Sequence, residues 1–232
     1  MRKRQKMKDR RLLLLTIMIF MEIIAIALFA LSDLSQIREN YIVNISFDIY
    51  GMMSGIVILV CCIIGEKENR RDVNCFTMLV ILTFTLMFTD EIAWLVDEVP
   101  ELYWINIVDN TAYYAIAQIL VCIFWYYVVE FIGKTEKNIV RLNYIISIGA
   151  GLSAILCVLN IKTKWFFSVD EVTGLYTRSK YNILSVVYMY FVMGVAFVTI
   201  IKKRKQISIY KVIAFMSYIL LPVFVGFFSL AV

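Results

Sequence analysis

The chain has 232 residues, of which 62% are hydrophobic and 18% charged, with a net charge of +5 and a mean hydropathy of +0.81. A soluble domain is only about half apolar, so water is excluded as the main solvent. There is no histidine, which excludes histidine acid–base catalysis, histidine metal ligation and a phosphoacceptor histidine within these residues.

A lipid crossing needs about 20 mostly apolar residues. Seven stretches meet that length: 12–31, 43–64, 75–96, 105–131, 142–161, 181–201 and 209–232. The expected fold is an all-α membrane protein, a bundle of about seven transmembrane helices. The links between the stretches are too short for a second core, which usually needs about 50 residues, so 1–232 forms a single multi-pass domain. The basic run from Arg2 to Arg11 ahead of the first stretch has the form of a secretory signal, and Ala25-Ile26-Ala27 is faintly like a cleavage site. The apolar run is nearer spanning length than the usual h-region of about 7 to 15 residues, so a signal anchor is expected. With the N-terminus inside, Lys and Arg divide eighteen inside to five outside, which assigns the N-terminus to the cytoplasm. The same basic run is explained by topology and anionic lipid, so the lipid bilayer, and no nucleic acid, is the expected partner.

Ionised groups are costly in hydrocarbon, so acids within spanning stretches carry weight. Glu22 lies near the middle of the first stretch, Asp48 in the outer part of the second, Asp90 and Glu91 in that of the third, and Asp109 in that of the fourth. No Lys or Arg is expected at matching depth to pair with them. Helical spacing aligns Asn44, Asp48, Gly51 and Gly55; then Thr83, Asp90, Trp94 and Asp97; then Asn106, Asp109, Asn110, Tyr113 and Ala117. Three polar stripes at one depth predict an outward-facing pocket between the second, third and fourth helices. Its expected lining is Asp48, Asp90, Trp94, Asn106, Asp109 and Tyr113, and its expected ligand a small cation or amine. Asp90 and Glu91 stand about 100° apart on a helix, and Asp90 has the polar face. The blander alternative is that Asp48 and Asp109 reach headgroups only. Glu22, the deepest, is either a protonated helix–helix hydrogen bonder or part of a relay.

Trp94, Tyr103, Trp104 and Trp165 are expected at the outer interface, and Trp125, Tyr126 and Tyr127 at the inner one. Tyr113 and Tyr114 lie deeper, where a ring face could meet a ligand cation. Gly51-x-x-x-Gly55 fits close helix packing. In the link 162–180, two β-prone runs flank the turn-forming cluster Asp170–Gly174, which predicts a small β-hairpin over the outer end of the bundle, as a lid or as an ordered loop. Cys61, Cys62, Cys75, Cys122 and Cys157 form no C-x-x-C and read as small apolar residues. Without a phosphate-binding glycine loop, a zinc-protease helix or a nucleophile elbow, no catalytic or metal-ligating residue, no cofactor and no enzymatic activity are expected.

The order of the spans, the exit Tyr126-Tyr127-Val128-Val129-Glu130-Phe131 and the loop residues Phe166, Phe167, Asp170, Gly174, Tyr176 and Arg178 carry a resemblance. The chain resembles the histidine kinase N-terminal seven-transmembrane region, a bacterial membrane sensor also found ahead of diguanylate cyclase modules. The resemblance covers essentially all 232 residues and implies the bacterial plasma membrane, sensing from the outer side and a cytoplasmic output domain or partner protein. With seven spans Val232 ends outside or within the bilayer, so either a further span and the output are missing, as in a truncated or separately encoded sensor, or one of the seven stretches does not cross. A homodimer is left open. The alternative is a small transporter or an accessory subunit of a transport complex, with the buried acids carrying protons or cations. Pro222 is expected to bend the last helix.

Overall fold

The computed structural model describes residues 2–32, 37–65, 71–133 and 136–231, with side chains described in 9–32, 37–64, 73–133 and 136–220. Among the described residues are seven helices: α1 (Arg2–Leu31), α2 (Glu39–Gly65), α3 (Arg71–Val96), α4 (Tyr103–Ile132), α5 (Lys137–Thr163), α6 (Asn182–Lys203) and α7 (Ile209–Ala231). Strands β1 (Phe167–Val169) and β2 (Tyr176–Arg178) pair antiparallel between α5 and α6. A 3₁₀ turn at Pro100–Leu102 joins α3 to α4, with Pro100 at a position where its missing N–H costs nothing.

Helices α1 to α6 are long and apolar enough to cross a membrane; the described apolar stretch of α7 is Ile209–Leu220. The chain is therefore a multi-pass helical membrane protein. Pro222 and the basic residues Lys67, Arg70 and Lys134 fall outside the described side chains. The helices outrun the apolar stretches at the ends, as in the Lys137–Arg141 start of α5, because Lys and Arg are good helix formers and end groups can meet water or headgroups.

Large apolar side chains such as Phe20, Phe47, Ile148 and Ile183 lie exposed on the outside, whereas Glu91, Asn106, Gln118 and Asn160 are buried. That distribution suits a hydrocarbon solvent: lipid accepts apolar surface freely, and polar groups gain by turning inward. Helix α4 is the centre. More than half of its spanning window, 56%, is buried, against 11% to 33% for the other five. It packs on α3, α5 and α6, while α1 and α2 form a layer against α3. One apolar cluster joins Phe124, Trp125 and Val128 of α4 to Ile146 of α5, Val192 of α6 and Phe215 of α7. A second joins Met18 of α1, Met52 of α2 and Phe84 of α3.

The central place of α4 corrects one expectation. Trp125 is fully buried and its indole N–H donates to Asn143 Oδ1 at 2.7 Å, so it is a core residue and not an interfacial anchor. Trp104 and Trp165, on exposed faces, keep the surface position expected of them. Gly51 serves helix packing: a Cβ there would run into the Met87 thioether, so its absence lets α2 lie close to α3. An apolar groove of about 330 Å³ runs between α2, α3, α4 and α7, with Phe76, Phe84, Phe124 and Phe215 in its lining.

Candidate functional site

The β-hairpin folds over one end of the bundle because its residues alternate. Phe167 pairs with Arg178 and Val169 with Tyr176, so these four share a face; Phe167 and Val169 are buried against α4 and α5. Ser168 and Thr177 lie on the other face, with their hydroxyl oxygens 3.0 Å apart. At the turn, Asp170 accepts from the N–H groups of Val172 and Thr173 at 2.9 and 2.8 Å and from the Thr173 hydroxyl at 3.0 Å. Those bonds hold the exposed Asp170 carboxyl below the usual carboxylate range. A lowered folded-state value stabilises the turn above the unfolded value, near 3.9, and that contribution is lost as pH falls through the folded value. Protection of the Val172 and Thr173 amides from hydrogen exchange is therefore expected to fall on acidification below about pH 4, and Asp170→Asn to remove that dependence.

Buried polar side chains fix the hairpin to the helices. Asn160, near the end of α5, donates to Phe167 O at 3.1 Å and accepts from Phe166 N at 2.7 Å. Asn182, at the start of α6, donates to Phe166 O at 3.1 Å and to the Tyr114 hydroxyl at 2.8 Å. Tyr114 shares a 2.8 Å hydroxyl contact with Tyr176 and stacks on Phe167, with ring centres 5.5 Å apart. Burial, then the Tyr114 hydroxyl, hold the Tyr176 phenol above its usual range, so it stays neutral and able to donate. Asp97, at the end of α3, accepts from the Tyr41 hydroxyl at 2.8 Å and from Tyr176 N at 2.7 Å. It thereby ties α2, α3 and β2 together, beside an ion pair between Arg38 and Glu98.

Beneath the hairpin lies a cavity of about 80 Å³, lined by Asp90, Ala93 and Trp94 of α3, Asp97 just after it, Asn110, Tyr113 and Tyr114 of α4, and Tyr176 and Arg178 of β2. Asp90, Trp94 and Tyr113 of the expected pocket thus stand together. The third wall is the hairpin, not α2: Asp48, Asn106 and Asp109 lie outside the lining. Asn106 instead donates to Gly174 O at 3.1 Å and its Oδ1 accepts from Asn110 at 2.7 Å, supporting the turn from below. Asp48 and Asp109 are half-buried, each within electrostatic reach of Asp90, and each has one buried oxygen without a hydrogen-bond partner.

Arg178 brings a cation to the acids. It lines the cavity and acts electrostatically on Asp90. This corrects the expectation that no Lys or Arg lies level with the acids: the hairpin folds Arg178 back onto the bundle beside Asp90. Of the expected lid residues, Phe166 and Phe167 are the buried anchors, Asp170 and Gly174 make the turn, and Tyr176 and Arg178 face the cavity. Glu22 lies elsewhere, in the α1–α2–α3 layer with Glu91.

Asn160 and Asn182 are the positions that sequence reasoning passed over, whereas Tyr114, expected as a ring facing a ligand, also bonds the hairpin. The signal for Asn160 was present: an amide within an apolar run must find partners inside the protein. Chemically, the cavity offers carboxylate, π faces and hydroxyls, the set that holds a small cation. Comparison with family models, with curated proteins and with solved structures returns no match.

Proposed function

We propose that the chain is a membrane-embedded sensory input module, of the kind placed ahead of a histidine kinase or diguanylate cyclase, that binds a small amine or guanidinium cation under the β-hairpin. The observation that carries this function is the composition of the cavity: Asp90 among the rings of Trp94, Tyr113, Tyr114 and Tyr176, with Arg178 as the one Lys or Arg in its lining. Asp97 has both carboxyl oxygens engaged by Tyr41 and Tyr176, which leaves Asp90 as the carboxylate to receive a ligand.

A volume of about 80 Å³ holds only two or three water-sized groups, at about 30 Å³ each. A ligand cation therefore competes with Arg178 for Asp90, and its entry displaces β2. Because β2 is bonded to Asp97 and Tyr114, displacement reaches the ends of α3 and α4 together. A shift in the packing of these helices is what an output domain or partner protein at the opposite end would read. The excess of Lys and Arg on one side supports a cytoplasmic position for that end and an outer one for the hairpin.

Binding of an alkylammonium and guanidinium series to the chain in lipid nanodiscs tests this directly. Wild type is expected to bind with modest affinity, Arg178→Ala about tenfold more tightly once the competing cation is gone, and Asp90→Asn at least tenfold more weakly. Lack of binding by both wild type and Arg178→Ala, or binding unchanged in Asp90→Asn, rejects the cation site. Cation flux into sealed vesicles that depends on Asp90 would favour a transporter instead.

A further inference from the structure

We infer that Glu22 and Glu91 form an exchangeable-proton site within the α1–α2–α3 layer, separate from the cavity under the hairpin. Glu22 comes from α1 and Glu91 from α3, and they lie within electrostatic reach of each other. Glu22 is 5% exposed and Glu91 0%, and all four of their carboxyl oxygens are buried without a hydrogen-bond partner. Their surroundings are apolar: Met18 and Ala25 lie one turn on either side of Glu22, and Met87 and Phe88 one turn before Glu91, all in the same cluster.

The charged groups around the pair are acidic. From α2 comes Asp48, within electrostatic reach of both Glu91 and Asp90; α3 adds Asp90 on the adjacent face, and α4 adds Asp109, which reaches Asp90. The nearest basic side chain along α1 is Arg11, about 16 Å away at 1.5 Å per residue, and it donates to Asn74 of α3 at 2.6 Å. Two ionised carboxylates within electrostatic reach of each other in an apolar layer repel each other and lack solvation, so the pair must be neutralised. A divalent metal ion would need about six or more oxygen donors, and among the described residues no group of three or more acidic or cysteine side chains could hold one.

A proton fits where a metal does not. Bound to one carboxylate, it removes one of the two like charges from the apolar layer and so ends the repulsion between them. Asp48 and then Asp90 lead from Glu91 to the cavity under the hairpin, giving the proton a path toward water. The exchange is acid–base only: one O–H bond breaks on the pair, one forms on the acceptor carboxylate and then on water, and no electrons are transferred.

Dicyclohexylcarbodiimide, which adds to protonated carboxyl groups in apolar surroundings, tests the proposal on the full chain in liposomes, with adducts located by peptide mass spectrometry. An adduct on Glu22 or Glu91 is expected, falling at least tenfold between about pH 6 and pH 9. Glu91→Gln, which keeps shape and removes one acid, is expected to lose Glu22 labelling at a lower pH than wild type, because the like charge that favours the protonated form is gone. No adduct on either residue overturns the site, as does labelling of wild type that is independent of pH. Labelling abolished by sodium at constant pH overturns the proton as occupant.

Discussion

Gly174→Ala is expected to release the hairpin from the bundle. Gly174 has φ +71°, and a Cβ there would lie 2.7 Å from both Val99 N and Val99 C, backbone atoms that cannot swing aside. The left-handed conformation alone costs a residue other than glycine about 1–3 kcal/mol. Relieving the overlap also pulls Gly174 O from Asn106 Nδ2, at 3.1 Å, and from Glu98 N, at 3.3 Å. A local loss of about 3 kcal/mol corresponds to roughly a hundredfold fall in amide protection. Hydrogen exchange across residues 166–178 should show that fall, with faster proteolysis of the same segment and unchanged protection in α5 and α6. Protection at the wild-type level in Gly174→Ala would mean that the turn does not bear on the α3–α4 link.

The second large effect is expected at Asn160. Substitution by leucine leaves Phe166 N–H and Phe167 O without the side chain that serves both, in a place closed to water. At about 1–3 kcal/mol for each buried group left without a partner, the cost is about 2–5 kcal/mol, read as a lower unfolding temperature in detergent or nanodiscs. Asn182→Ala is the informative comparison. It also removes a donor to Phe166 O, but that oxygen keeps Ser179 N at 3.0 Å, so about 1 kcal/mol or less is expected there. Equal destabilisation by the two substitutions would show that the amides act through something other than these backbone partners.

Both positions bear on how much was legible in advance. The run from Asp170 to Gly174 announces a turn because Asp caps local N–H groups and Gly accepts positive φ, and both features are present in the structure. The conspicuous acids were equally legible, since a carboxyl in hydrocarbon stands out from any apolar background. Their companions were not. Glu91 stands about 100° around the helix from Asp90 and its polar stripe, and that other face brings it within electrostatic reach of Glu22 on α1. Trp125 has the composition of an interfacial anchor and becomes core only because α4 is enclosed by its neighbours.

The sequence by itself determined a multi-pass helical protein, the approximate extent of its helices and the hairpin. Each of these depends on local quantities: the length of an apolar run against the thickness of a bilayer, the period of a strand, the backbone preference of a turn residue. Only the tertiary structure decided that α4 is central, that Arg178 folds back beside Asp90, and that Glu22 and Glu91 share one apolar layer. Those relations join segments far apart in the chain. They depend on how each helix is rotated about its axis, which in lipid is set by packing and buried polar partners, because hydrocarbon exerts little preference among apolar faces.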